Sequence, residues 1–95
     1  MTILPHPISF EWDAGNKDKN LLKHGVSNEE CEEVFFDPGK RMAKDTVHSG
    51  KEARYILLGG TLKGRSLFVV FTLRRDRIRV ISARNLNRKE ARLLL

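Results

Sequence analysis

Thr72 to Arg84 constrains this chain more than any other stretch. Two runs rich in β-formers, Ser66–Arg75 and Arg77–Arg84, meet at Arg75-Asp76. That separation is short enough for a hairpin, so both runs are expected to pair as antiparallel neighbours. The same segment carries Arg74, Arg75, Arg77, Arg79 and Arg84. A guanidinium is planar, permanently charged and forked to match phosphate oxygens. A small sheet with this many of them points to a polyanion, nucleic acid first.

The rest of the composition agrees in direction. The chain has 95 residues and a net charge of +6. One domain with one modest core is expected, with little room for a deep pocket. The charge implies RNA, DNA or an acidic protein as partner. Cys31 is the sole cysteine. That excludes an internal disulfide and a cysteine-based metal site, and a small buried helix residue is expected there. Met1–Phe10 lacks the basic lead and long apolar run of a signal peptide. No apolar run approaches the ~20 residues of a membrane span. A soluble, reducing, cytoplasmic setting is expected.

Along the chain, Pro5 and Pro7 mark a loose lead, and Ile8–Trp12 reads as a short strand. Asp13 stands as N-cap before a helix from Lys17 to His24, with Leu21 and Leu22 as its apolar side and Gly25 closing it. Ser27 and Glu30 have the spacing of a capping box for a second helix running to about Phe36, with Cys31, Val34 and Phe35 facing the core. A short strand near Arg41–Lys44, a strand Ala53–Gly60, and the turn Thr61-Leu62-Lys63-Gly64 follow. Asn87 and Glu90 begin a last helix, Arg88–Leu95. These elements give an α+β fold, a small twisted and mainly antiparallel sheet with helices on one face and the other face open. Arginine occurs at both strand parities, so alternation alone does not say which face holds them.

Several pieces, in order, resemble one family. Phe10-Glu11-Trp12-Asp13, then Lys17, Asn20 and Lys23-His24-Gly25-Val26-Ser27, are similar to the opening of BrnT toxins. Glu52-Ala53-Arg54-Tyr55-Ile56, Gly64-Arg65-Ser66-Leu67, Val69-Val70-Phe71-Thr72 and Arg79-Val80-Ile81-Ser82-Ala83-Arg84 continue the likeness. It spans roughly residues 10–92, with 1–9 as an extension and 10–95 as the single toxin domain. Leu86, Asn87 and the Leu93-Leu94-Leu95 end depart from the pattern. The resemblance implies a RelE-like fold and a type II toxin that cleaves RNA without a metal or other cofactor and stops translation. It also implies a BrnA-like ribbon-helix-helix antitoxin in a 2:2 complex, with operator DNA bound only through that antitoxin and no membrane association.

Metal-free RNA cleavage requires a base for the 2′-hydroxyl, an acid for the leaving 5′-oxygen and cations for the charge on phosphorus. His24 is the natural proton carrier. The competing role for its ring is to cap the first helix or bond a strand carbonyl. Lys17, Asn20 and His24 have the spacing of one helix face. Lys23 is either a phosphate contact or a surface charge, and Lys17 a lesser RNA contact. Arg65, Arg79 and Arg84 match the family's strand arginines, as phosphate or transition-state ligands. Their alternative is an ion pair with Glu11, Asp13 or Glu52. Arg74 and Arg75 flank the turn and suit substrate steering. Trp12 is either a base-stacking platform or core. A non-catalytic nucleic-acid-binding or antitoxin-binding module would use the same cations.

Overall fold

The computed structural model describes residues 3–47 and 50–92. The elements, in chain order, are α1 (Lys19–His24), α2 (Asn28–Val34), β1 (Arg41–Asp45), β2 (Arg54–Gly60), β3 (Ser66–Arg74), β4 (Arg77–Asn85) and α3 (Arg88–Ala91). The strands form one sheet in the order β1-β2-β3-β4, every neighbouring pair antiparallel. This is the α+β meander that the turn signals predicted.

The β3–β4 hairpin is closed by Arg75 and Asp76, with φ of 51° and 62°. Two successive left-handed residues match the strand twist and give a two-residue hairpin its tight form. Farther along, the register slips between Val70 and Phe71. Val70 faces Ser82 while Phe71 faces Val80, so Ile81 is an additional residue in β4, a β-bulge.

One face of the sheet carries the core. Leu57, Leu67, Val69, Phe71, Ile78, Val80 and Ala83 are buried there with Val26, Cys31, Val34 and Phe35. Phe35 meets Phe10 and Phe71 edge-on, with ring centroids 5.3 and 5.0 Å away. Such pairs contribute about 0.5–1.5 kcal/mol each beyond their buried area. The α2 helix can sit low on β2 because Gly59 has no side chain: a Cβ there would lie 2.9 Å from Val34 Cγ1. The α2 capping box is formed, with Ser27 Oγ accepting from Glu30 N and Glu30 Oε1 accepting from Ser27 N. Burial pushes the Cys31 thiol up to about 12, aided by the charges of Glu30 and Glu32, so it is an inert core group.

The N-terminal third departs from the sequence reading. Leu4 is buried in the core and Ile3 and Ile8 pack against it, so residues 3–8 are not a loose lead. Ile8–Trp12 is not a full strand; it makes one parallel bridge, Phe10 to Ile78, supported by Glu11 N to Ile78 O and Ile78 N to Ser9 O. Asp13 does not cap a helix. Its Oδ1 accepts from Gly15 N and its carbonyl from Asn16 N and Lys17 N, which makes a turn. Helix α1 starts later, after Asp18 at φ 58°, which gives no side-chain cap. Lys17 is therefore on the turn and does not share the α1 face with Asn20 and His24.

The expected apolar face of α1 is also reversed. Leu22 is 86% exposed and Leu21 is half exposed, while Asn20 is 2% exposed. The reason is the strand beneath. As one of the two outermost strands, β4 has backbone groups without a neighbouring strand, and polar side chains satisfy several of them. Asn16 Nδ2 donates to Val80 O, Lys19 Nζ to Ile81 O, and Asn20 Oδ1 accepts from Ala83 N. A leucine could do none of this. Gly25, at φ 66°, then turns the chain so that Val26 enters the core in the leucines' place. The last helix is described only to Ala91, with Arg92 as its cap, and Leu93–Leu95 and His48 lie outside the described residues.

This arrangement predicts opposite effects for two neighbours. Asn20→Ala leaves the buried Ala83 N–H without an acceptor and costs about 1–2 kcal/mol in urea unfolding. Leu22→Ala changes stability by less than about 0.5 kcal/mol. A larger loss from Leu22→Ala would mean that the leucines do face inward.

Candidate functional site

Directly opposed residues of an antiparallel pair project from the same face. On β3, Phe68, Val70, Thr72 and Arg74 alternate away from the core, and their partners on β4 are Arg84, Ser82, Arg79 and Arg77. The bulge at Ile81 is what unites them. Without it, Arg79 and Arg84 would have opposite parity; with it, Arg74, Arg77, Arg79 and Arg84 all stand on the face not covered by α1 and α2. The centre of this face is apolar. Ile56 and Leu58 on β2 oppose Val70 and Phe68, and Ala43 on β1 opposes Ile56. A shallow cavity of about 320 Å³ lies there, lined by Arg41, Met42, Ala43, Ile56, Leu58 and Phe68.

The cations gather at the two ends of the hairpin. At the turn end, Arg79 Nη1 donates to Glu11 Oε1 at 3.0 Å and to Asp13 Oδ2 at 2.7 Å, and its Nη2 donates to Asp13 Oδ1 at 3.1 Å. The Arg79 guanidinium holds the Asp13 carboxyl below the usual aspartate range, and the two acids raise Arg79 in turn. Arg74 Nε donates to Glu52 at 2.9 Å, and Arg77 Nη2 donates to Phe10 O. Arg75 is exposed on the turn and makes no side-chain pair among the described residues. Trp12 is half-buried against the core with Nε1 donating to Glu32 at 2.7 Å, so its indole is held as structure. Lys17 is exposed on the preceding turn.

At the other end, Arg65 ties the end of α1, helix α2 and the end of β4 together. Its Nε donates to Asn85 Oδ1 at 2.6 Å, its Nη1 to Gly25 O at 2.8 Å and to Glu30, and its Nη2 to His24 O at 3.3 Å. The Glu30 carboxyl is held low, first by the Ser27 backbone amide and then by Arg65. Arg84 is next along the network, donating to Asn85 O at 3.1 Å. Its guanidinium also grips Glu90 with two bonds of 2.8 and 2.7 Å and lies 4.3 Å over the Phe68 ring. Glu90 raises Arg84, and Arg84 is the main cause of the lowered Glu90 carboxyl. Lys23 and His24 close α1 beside this network with exposed side chains that have no partner among the described residues.

The structure thus gathers Arg65 and Arg84, with His24 and Lys23 at the end of α1, at one end and Arg79, Arg74 and Arg75 at the other, while the Trp12 indole goes to Glu32 on α2 and Lys17 stays exposed on its turn. Arg79 and Arg84 are separated by roughly 15 Å along β4, more than one phosphate can bridge. Among the described residues, no group of three or more His, Cys, Asp or Glu could hold a metal ion.

Residues 12–90 match the family model described as the ribonuclease toxin BrnT of type II toxin-antitoxin systems. The chain belongs to the BrnT family. The family is one of ribonuclease toxins of type II systems, so membership supports a toxin role and implies an antitoxin partner. No match is found among curated proteins. The match covers both arginine ends of the BrnT sheet, from Trp12 to Glu90. Among the described residues, no helix is long and apolar enough to cross a membrane. Two BrnT residues at the Arg84 end were missed from sequence. Phe68 has no sequence signal as a neighbour of Arg84, because a register without the bulge would set it opposite Ala83. Glu90 reads only as the third residue of the last helix after its cap Asn87. It fills that role, accepting from Asn87 N at 3.0 Å, while it also clasps Arg84.

The Arg84–Glu90 clasp has a titration signature. A depressed carboxyl stabilises the fold above its ordinary pKa of 4.5, and that contribution is lost as pH falls through the depressed value. In a carboxyl NMR titration, Arg84→Ala moves the Glu90 midpoint up toward 4.5 and removes the Arg84 part of this acid-sensitive stability. An unchanged midpoint would show that Asn87 alone sets the Glu90 carboxyl.

Proposed function

We propose that this chain is an endoribonuclease that cleaves RNA across the open face of its sheet without a metal ion, and so inhibits translation. What carries the reading is the end of the sheet where Arg84 lies over Phe68 and where Arg65 ties the end of α1, with the free side chains of Lys23 and His24, to Asn85 next to Arg84, in a chain of the BrnT family. The antiparallel meander with α1 and α2 on one face is compatible with a RelE-like fold.

The chemistry follows from the groups available. The ribose 2′-oxygen attacks the neighbouring phosphorus, the bond to the 5′-oxygen breaks, and a 2′,3′-cyclic phosphate and a 5′-hydroxyl result. One proton leaves the 2′-oxygen and one reaches the 5′-oxygen. His24 carries one of these transfers, with Lys23 beside it. Arg84 stabilises charge on the phosphoryl oxygens, and the half-buried Phe68 ring beneath it backs the guanidinium at the apolar floor on which a base can rest. Arg65 acts as a positioning residue, because its bonds to the His24 and Gly25 carbonyls fix the end of α1. Arg79 and Arg74, with Arg75 and Lys17 near the turn end, hold RNA away from the scissile phosphate. The partner in this reading is a BrnA-like ribbon-helix-helix antitoxin in a 2:2 complex that alone contacts operator DNA, and the setting is the cytoplasm.

One observation favours a second reading. Arg65, Arg74, Arg79 and Arg84 each have an acidic partner within the chain, which suits a face that binds without catalysing. Purified chain incubated with single-stranded RNA separates the two. A ribonuclease yields cyclic-phosphate ends, and Arg84→Ala lowers the rate roughly 10²–10³-fold. His24→Ala lowers it roughly 10²–10⁴-fold. Both variants keep the fold and the antitoxin affinity. Intact RNA from folded wild-type protein, with binding that weakens as salt rises, would establish the binding module instead.

A further inference from the structure

The opposite side of the molecule differs from the sheet face in chemistry. Beside α2 and the turn joining β2 to β3 lies an apolar cavity of about 370 Å³, lined by Glu33, Phe36, Asp37, Pro38, Gly60, Thr61 and Leu62. Glu33 and Thr61 also line a second cavity of about 320 Å³, which continues to Glu29, Glu30 and Lys63. The two form one groove along α2. One end is apolar, with Phe36 62% and Leu62 88% exposed. The other is acidic.

Large apolar side chains so exposed mark interaction surfaces when they flank a groove. The acids are placed to select the partner. Glu29 has no partner among the described residues, and Glu33 uses only one oxygen, which accepts from Leu62 N at 3.0 Å. Asp37 bonds Gly39 N and Gly60 N and is held low by those amides, so it stays charged. A polyanion is repelled here, although the protein as a whole carries +6. The groove suits a peptide segment with an apolar anchor flanked by Lys or Arg.

We propose that this groove is a docking site for the antitoxin, which enters it with a segment of apolar and basic side chains. Family membership supplies a protein partner, and charge complementarity between the acidic rim and a cationic segment specifies its chemistry. The site is on the α2 side of the sheet, so antitoxin bound here holds the toxin without needing the arginines of the open face. The proposal rests on toxin–antitoxin membership and not on ribonuclease activity.

The test is direct binding of the purified cognate antitoxin to the whole chain by calorimetry, with Leu62→Glu and Glu29→Lys as variants. Both positions are exposed and outside the core, and thermal melting checks that each variant folds. Leu62→Glu is expected to weaken binding at least tenfold. Glu29→Lys is expected to weaken it several-fold at low salt, with the difference shrinking as salt rises. Both variants are expected to cleave RNA, or bind it, as wild type does. Antitoxin affinity within twofold of wild type in both variants overturns the proposal. So does a wild-type dimer seen by light scattering that Leu62→Glu dissociates, because the groove would then receive a second copy of this chain. Loss of RNA cleavage by wild type would remove the catalytic reading and leave this result intact.

Discussion

The grip of Asn16, Lys19 and Asn20 on the backbone of β4 is the interaction on which the charged face depends. These side chains bond Val80 O, Ile81 O and Ala83 N, backbone groups of the additional residue Ile81 and of its surroundings. An outermost strand with a bulge has unpaired amides and carbonyls, and each would lose free energy if removed from water without a partner. By meeting them from α1 and its preceding turn, the chain keeps the bulge in place, and the bulge in turn puts Arg79 and Arg84 on one face. The cost is that α1 spends its inward position on an asparagine whose Nδ2 is buried without a partner among the described residues.

Much of the fold was legible in the sequence because its signals are local. The capping box at Ser27, the Asn87 cap, the left-handed Gly25 and the Arg75-Asp76 hairpin each depend on a few adjacent residues, and each formed as read. The failures share one cause, which is that a distant strand decides them. Leu21 and Leu22 satisfy helical periodicity, yet β4 demanded hydrogen bonds rather than apolar area. Asp13 has the chemistry of a cap, yet Arg79, distant in sequence, takes its carboxylate. Leu4 precedes two prolines, and nothing local reveals that the core has room for it.

The candidate site was legible as a set of residue types and not as an arrangement. The strand arginines were evident, and ion pairing with Glu11, Asp13 or Glu52 was the stated alternative for them; Arg79 takes Glu11 and Asp13. Arg65 and Arg84 chose Glu30 and Glu90 instead, which no spacing rule connects to them except the short step from Arg84 to Glu90. A bulge leaves no clear sequence mark, so the shared face of Arg79 and Arg84, and the place of Phe68 under Arg84, could be seen only in three dimensions.

The separation of charge between the two sides of the sheet has an effect before any contact is made. With Glu29 and Glu33 on the α2 side without a cationic partner, and Arg75 and Arg77 at the hairpin turn without an acidic one, among the described residues, the uncompensated charge is unevenly placed, which gives the molecule an electric moment as well as a net positive charge. Near a polyanion the net charge draws it inward, while the moment turns it, so that collisions are biased toward one orientation. This torque acts over about a Debye length, ~8 Å at physiological ionic strength. Orientation during approach is thus built into the fold as a property of the whole molecule, separate from the strength of any single arginine contact.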